Sequence, residues 1–242
     1  MEFSVFDSTA IVPARTMRFM GTLYLVRHGQ ASLGAADYDQ LSDLGRRQCA
    51  QLGDWLRAHG VTFDAVFTGT QKRHAQSLAA IEGALGALPA AEARPGLDEY
   101  DSEAVIRAVH SGPLVPATTA EAARTHFRLL RLGLAAWMAG RAQPQGMPTH
   151  ADFVAGIVGA LDEVRARHAQ GRTLVVSSGG PISHALGHVL GLGAEATIEL
   201  NLQLRNSALC ELRVSAKRLA LVSFNTLPHL AAPEHANWVT HA

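Results

Sequence analysis

A cation, an imidazole and a glycine follow one another at the end of an early apolar run. Residues 23–26 are Leu-Tyr-Leu-Val, and Arg27-His28-Gly29 come directly after them. Arginine binds anions, histidine carries protons or attacks electrophiles, and glycine lets the backbone turn closely beneath a ligand. These residue types indicate a ligand site at this point of the chain, with His28 facing the ligand.

A second polar group follows a later apolar run. Residues 173–177 are Thr-Leu-Val-Val-Ser, and Ser178-Gly179-Gly180-Pro181 come next. Proline fits the first turn of a helix. Glycines at the start of a helix expose backbone N–H groups, which form a cradle for an anion.

The elements that must position these residues form an α/β domain. Apolar runs without polar alternation are typical of strands covered on both faces, as in a parallel sheet between helices, and such sheets bind ligands at the carboxyl ends of their strands. We therefore predict a three-layer α/β/α sandwich with a mostly parallel sheet and an antiparallel edge. The predicted elements are a helix capped by Ser42, a strand over residues 63–68, a helix from about Thr70, a helix over 149–170 and an antiparallel hairpin over 208–224.

The Arg27-His28-Gly29 signature resembles the histidine phosphatase superfamily, which includes the cofactor-dependent phosphoglycerate mutases. In that family the histidine is the nucleophile that accepts a phosphoryl group, and the arginine holds the phosphate oxygens. The pattern Leu-Ser-x-x-Gly-x-x-Gln at residues 41–48 also resembles the family's helix after its first loop. The resemblance implies a phosphoglycerate mutase-like fold over residues 21–242.

Two further positions match that family. Arg73 occupies the place of an arginine that a helix presents to the phosphate, and Glu99, in a Leu-x-Glu pattern, occupies the place of the proton donor and acceptor. On its own, Arg73 is also compatible with a solvated helix residue. Glu99 is likewise compatible with an ordinary acidic loop, or with a metal cluster that includes Asp98 and Asp101.

The chain departs from the family pattern at two positions. Ser178 stands where the family has a second histidine that contacts the phosphoryl group, and Gly34 stands where the mutase-like members usually have an asparagine. The second departure argues against a specialised mutase. A serine hydroxyl still donates one hydrogen bond to the phosphoryl group. Compared with a charge-assisted bond, this hydrogen bond is weaker by roughly 1 kcal/mol, which lowers the rate or the phosphate affinity by up to about tenfold.

Other histidines of the chain are candidates for the role of the family's second histidine. His184 and His188 have the i, i+4 spacing of a metal pair, but the sequence shows no third ligand, and His74 lies beside Arg73. The pattern favours none of them as a catalytic substitute or as a metal site.

The sequence therefore predicts a metal-independent phosphatase that needs no cofactor and acts on a small phosphate ester. The resemblance implies that His28 forms a phosphohistidine, that Arg27 and Arg73 hold the phosphate together with Ser178 and Gly179, and that Glu99 moves the proton. One alternative is a catalytically weak or inactive phosphate-binding member of the same fold. Another is a serine hydrolase, because Ser178 lies between a strand and a helix, although Val176 occupies the first glycine position of the nucleophile-elbow pattern.

An inserted segment over about residues 102–149 is expected to form a helical cap over the site. Its long helix is predicted to begin with a capping box at Thr118-x-x-Glu121. Arg124, Arg128 and Arg131 form a stripe along this helix. Such a stripe is either a solvated helix face or a contact for the charged remainder of a substrate.

Composition limits the classes of partner. The 242 residues carry 21 basic and 21 acidic side chains, so no global positive field indicates nucleic acid. No apolar run is long enough to cross a bilayer. Cys49 and Cys210 fall on apolar faces, which favours a reducing cytoplasm. Residues 1–20 are expected to be a flexible extension. The sequence does not decide whether the protein forms a homo-oligomer.

Overall fold

The computed structural model describes residues 21–32, 39–115 and 119–241. The predicted N-terminal extension, Gly34 and Thr118 lie outside these ranges, so the predictions made for them are not addressed by the structure.

The described residues contain one mixed sheet with the strand order β3-β2-β4-β1-β5-β6. The strands β3, β2, β4 and β1 pair in parallel, and β5 pairs antiparallel with both β1 and β6. The predicted parallel sheet with an antiparallel edge is therefore confirmed. The strands are β1 (Gly21–Arg27), β2 (Ala65–Thr68), β3 (Ala91–Ala93), β4 (Arg172–Ser177), β5 (Leu209–Val214) and β6 (Leu219–Thr226).

Helices cover both faces of this sheet. Short 3₁₀ turns, each led by a proline, occur at Pro95–Leu97 and in the C-terminal tail at Pro228–Leu230 and Pro233–Trp238, where only a loop was expected. The α-helices are α1 (Asp43–Ala58), α2 (Lys72–Leu85), α3 (Ser102–Arg107), α4 (Ala120–Met138), α5 (His150–Arg167), α6 (Gly179–Leu190) and α7 (Ala194–Gln203).

Alternation along the buried strands produces two separate cores. Val26 of β1 packs with α1 and α2 on one face of the sheet. Its neighbour Leu25 packs with α4, α5, α6 and α7 on the other face. Consecutive strand residues point to opposite faces, so a strand that is apolar at every position must be covered on both sides. Cys49 and Cys210 are buried, unpaired thiols in these two cores.

Side-chain caps fix where several helices begin. The Ser42 hydroxyl accepts a hydrogen bond from the Gly45 N–H at 3.0 Å, as predicted. Thr149 caps α5 through the Asp152 N–H at 3.1 Å. Thr119 caps α4: it has extended backbone, and its hydroxyl accepts from the Ala122 N–H at 3.2 Å.

The inserted segment contains two helices where one was predicted. The short helix α3 precedes α4 and packs against it, and α4 also packs against α7. Arg131 forms ion pairs with Glu195 and Glu199 of α7. This member of the arginine stripe therefore ties α4 to the main domain.

Candidate active site

The register of the two central strands brings the two polar groups of the sequence together. Arg27 of β1 lies opposite Ser177 of β4, and the His28 N–H donates to the Ser177 carbonyl at 2.8 Å. His28 and Ser178 therefore leave the sheet side by side at the carboxyl ends of adjacent parallel strands. This is the edge where such sheets bind ligands.

The ring of His28 is held in one tautomer. Its Nδ1 lies 2.6 Å from the Gly29 carbonyl oxygen, which can only accept, so Nδ1 carries the hydrogen and Nε2 keeps its lone pair. Burial lowers the pKa of His28 well below its usual value of 6.5, and the charges of Arg27 and Arg73 lower it further. The side chain at this position is thus a neutral imidazole with a free nucleophilic nitrogen.

Two guanidinium groups from different elements line the same cavity as His28. Arg27, at the end of β1, donates from Nη1 to the Leu204 carbonyl. Arg73, in the first turn of α2, donates to Asp39 and to Gln71, both at 2.7 Å. Both arginines are buried, so solvent screens their interaction with a nearby anion less than it would for exposed side chains. The two guanidinium groups therefore concentrate positive charge at this cavity, although Arg73 is also ion-paired with Asp39.

The carboxylate of Glu99 is fixed by the start of α6. Both of its oxygens lie 3.1 Å from the Gly180 nitrogen, whose N–H they accept. Gln71 accepts from the Glu99 N–H at 3.1 Å and also from Arg73, so it links the segment that carries Glu99 to the Arg73 guanidinium. Burial raises the pKa of Glu99 above its usual 4.5, against the lowering effects of Gly180, Arg73 and Arg27. The raised pKa favours the protonated form of this carboxyl group more than that of a solvent-exposed glutamate.

A cavity of about 470 Å³ opens in front of these groups. Its floor is polar and includes Arg27, His28, Arg73 and Glu99, whereas much of its remaining wall comes from the inserted segment and is apolar. Glu103 and Arg107 also line it and neutralise each other as an i, i+4 ion pair. The apolar lining consists of Leu114, Val115, Ala123, Phe127, Leu130 and Leu202.

Ser178 has a partner that the sequence analysis did not favour. Its hydroxyl lies 2.6 Å from Nε2 of His74, and both residues are completely buried. Nδ1 of His74 lies 3.7 Å from Oδ1 of Asp98, close enough for an ion pair with a charged ring. The rings of His74 and His28 have centroids 5.8 Å apart. Ser178 is not among the residues that line the cavity.

The structure therefore gathers Arg27, His28, Arg73 and Glu99 around one cavity and places Ser178 and Gly179 beside it. A β carbon on Gly179 would lie 3.7 Å from the Arg27 guanidinium carbon, so this glycine is a close neighbour of that side chain. The supporting residues that the sequence analysis missed or passed over are His74, Asp98, Gln71 and Asp39, and only the adjacency of His74 to Arg73 pointed to any of them.

The alternative metal sites do not assemble. The Asp98 carboxylate accepts from the N–H and hydroxyl of Thr70, Glu99 accepts from α6, and Asp101 caps α3. His184 is buried with Nδ1 on the Gly180 carbonyl, and burial lowers its pKa to about 4, whereas His188 is exposed. The described ranges contain no group of three histidine, cysteine or acidic side chains placed to hold a metal ion. Nor does any described helix have the length and apolar character needed to cross a membrane.

Comparison with solved structures identifies proteins that share this fold. A phosphoserine phosphatase from Entamoeba histolytica, in complex with phosphoserine, superposes with a TM-score of 0.62 at 15% identity, covering 87% of this chain and 99% of that one. A mycobacterial glucosyl-3-phosphoglycerate phosphatase gives 0.60 at 20% identity, with 85% and 98% covered. A phosphoglycerate mutase from Bacillus anthracis gives 0.57 at 18%, with 89% and 97% covered. These similarities establish the phosphoglycerate mutase-like fold.

Sequence comparison gives the family. A search of curated proteins finds no match. The family model for the histidine phosphatase superfamily, branch 1, matches residues 23–227. This range includes every residue placed around the cavity floor. The chain therefore belongs to branch 1 of the histidine phosphatase superfamily.

Proposed function

We propose that this protein hydrolyses phosphate monoesters through a phosphohistidine on Nε2 of His28. The observation that carries the proposal is the hydrogen bond from Nδ1 of His28 to the Gly29 carbonyl, which leaves Nε2 unprotonated in a cavity that also holds two buried arginines. A neutral imidazole facing paired guanidinium groups is suited to attack on phosphorus.

In the first half of the reaction, the Nε2 lone pair forms a bond to phosphorus as the bond from phosphorus to the ester oxygen breaks. Arg27 and Arg73 neutralise the charge on the non-bridging oxygens. Glu99 gives its proton to the departing alkoxide, so that a neutral alcohol leaves. The raised pKa of this carboxyl group suits it to the task.

In the second half, water replaces the alcohol. The Glu99 carboxylate takes a proton from the water as its oxygen bonds to phosphorus, and the bond between phosphorus and Nε2 breaks. Inorganic phosphate leaves and the imidazole is neutral again. The arginines supply the charge compensation, so this mechanism needs no metal ion and no cofactor.

A serine hydrolase is the second candidate, because the bond from Ser178 to His74, with Asp98 behind the ring, has the order of a catalytic triad. Two features oppose it. His28 lines the cavity together with both arginines and has an unprotonated Nε2, so it is better placed for attack than Ser178, and the φ of −117° at Ser178 is ordinary extended backbone rather than the strained turn of a nucleophile elbow.

Two variants distinguish the candidates. We expect His28→Ala to abolish turnover of a phosphate monoester and to abolish acid-labile labelling of the protein by radioactive substrate. Ser178→Ala should keep turnover, at a reduced rate. The reverse pattern would establish the serine hydrolase.

A third result would identify a catalytically inactive phosphate-binding protein. In that case the wild-type protein binds inorganic phosphate without turnover, and Arg73→Ala abolishes the binding.

A further inference from the structure

A buried polar pair beside the nucleophile takes no part in the reaction described above. Nε2 of His74 and the Ser178 hydroxyl are 2.6 Å apart, with no solvent exposure of either residue. The His74 ring centroid is 5.8 Å from that of His28. Burying two polar side chains is costly unless they are hydrogen-bonded, so this pair is a specific feature of the site.

Each end of the pair has a fixed neighbour, although Nδ1 of His74 has no partner within hydrogen-bond distance among the described residues. Asp98, 3.7 Å from Nδ1 of His74, is itself held by the N–H and the hydroxyl of Thr70, each at 2.5 Å. Ser178 lies at the end of β4 and precedes Gly179, the neighbour of the Arg27 guanidinium. The chain from Asp98 through His74 to Ser178 therefore ends next to the group that binds phosphate.

One proton decides which way the Ser178 hydroxyl points. In neutral His74 the hydrogen belongs on Nδ1, facing the Asp98 carboxylate, so Nε2 accepts the hydroxyl hydrogen. An anion would then meet only the lone pairs of the oxygen. In the protonated ring, Nε2–H donates to the Ser178 oxygen, and the hydroxyl hydrogen is free to turn toward the anion.

The groups around His74 set its charge. Burial lowers its pKa below 6.5 and Arg73 acts in the same direction, while Asp98 and Asp39 raise it. Among the described residues, His28 also faces this ring. The ring is therefore neutral in the empty site, and an arriving dianion stabilises its protonated form.

We propose that His74 takes up a proton when a phosphoryl oxyanion binds, and that through Ser178 it supplies the positive charge that the family's second histidine supplies elsewhere. The proposal rests on the proposed function only in placing the oxyanion at His28. His74 acts as a positioning residue for the hydroxyl, and the protonated ring adds its own charge to that of Arg27 and Arg73.

Sulfate binding tests the proposal without any turnover. Sulfate stays a dianion across the neutral range, so pH dependence of its binding comes from the protein. A His28→Asn background removes the other imidazole that the anion could protonate. Proton uptake is measured by titration calorimetry in buffers of different ionisation enthalpy, with and without His74→Gln, whose amide can donate to Ser178 but does not titrate.

We expect the His28→Asn protein to take up a proton as it binds sulfate. Its affinity should be highest below the pKa of His74 in the empty site and should fall by up to about tenfold per pH unit up to the pKa in the complex. His74→Gln should remove this part of the uptake and flatten the profile. Glu99 is present in both proteins, so its contribution cancels in the difference.

Two other variants keep the ring in place, for the case that His74→Gln does not fold. Asp98→Asn should lower the proton uptake. Ser178→Ala should weaken sulfate binding by about tenfold to a hundredfold, the range for a hydrogen bond to a charged group.

Proton uptake that is the same with and without His74→Gln, or with and without Asp98→Asn, would overturn the proposal. These readings do not depend on catalysis. A protein without phosphatase turnover that shows the expected uptake refutes the proposed function alone, and an active phosphatase without the uptake refutes the His74 proposal alone.

Discussion

A methyl group added at Gly180 is expected to displace the proton donor without removing it. A β carbon at this position would lie 2.0 Å from Oε1 of Glu99 and 2.5 Å from Cε1 of Tyr100. Contacts below 3.0 Å are not sustained, so Gly180→Ala must push the carboxylate away by at least about 1 Å. The same movement breaks the hydrogen bonds from the Gly180 N–H.

The expected cost follows from the size of this displacement. A misplacement of about 1 Å at a reacting group costs up to about a hundredfold in rate, which is about 2.7 kcal/mol of barrier. An alkyl phosphate should show this loss in the rate of phosphoenzyme formation, because an alkoxide cannot leave without a proton. With p-nitrophenyl phosphate the same step should be much less affected, since a nitrophenolate leaves unprotonated.

Gly159→Ala is the matched control. Gly159 is an exposed residue of α5, and a β carbon there would have no neighbour within 4 Å. This variant should keep wild-type kinetics and gain up to about 1 kcal/mol of stability, because alanine favours a helix interior over glycine. An unchanged rate with alkyl phosphate in Gly180→Ala, or an equal loss with both leaving groups, would contradict the role assigned to Glu99.

Three further predictions concern the same cavity. The value of kcat/KM should rise with pH on an acid limb below 6.5, where His28 loses its proton, and fall at higher pH as Glu99 ionises; Glu99→Gln should remove the upper limb. Arg27→Lys keeps the charge but loses the planar fork, so vanadate affinity measured by inhibition should fall by about tenfold or more. Phe127→Ser makes the apolar wall polar, so KM should rise for naphthyl phosphate and stay unchanged for phosphoserine.

Much of this site could be predicted because it depends on the central strands. Apolar runs at residues 23–26 and 173–177 identify buried parallel strands, and the residues that follow such strands meet at one edge of the sheet. This pattern predicts His28 and Ser178 at the ligand edge of the sheet, the family resemblance assigns both to one phosphate, and the structure adds that β1 and β4 are neighbours. Arg73 and Glu99 needed the family resemblance, because a helix position and a loop position carry no comparable periodic signal.

The role of His74 could not be predicted in this way. Its hydrogen bond to Ser178 joins residues 104 positions apart, and it depends on the direction in which α2 turns each side chain. Arg73 and His74 are consecutive in the helix, so they point in different directions. Arg73 points into the cavity, and His74 points toward Ser178 at the end of β4.

The prediction for the inserted segment was wrong in detail for a related reason. Its short helix α3 is stabilised by a cap at Asp101 and by packing rather than by a long apolar pattern.

Ser178 and His74 are expected to be coupled through the space they share. Both are completely buried in contact with each other, so a histidine introduced at residue 178 has no room while the His74 ring is present. Ser178→His alone should therefore destabilise the protein by about 1–3 kcal/mol, the usual cost of overpacking. Adding His74→Ala should recover most of that loss, because it vacates the volume that the new ring needs. Denaturant unfolding of the two single variants and the double variant measures the coupling free energy. Additive changes, or a fully stable Ser178→His protein, would show that the two side chains do not compete for one place beside His28.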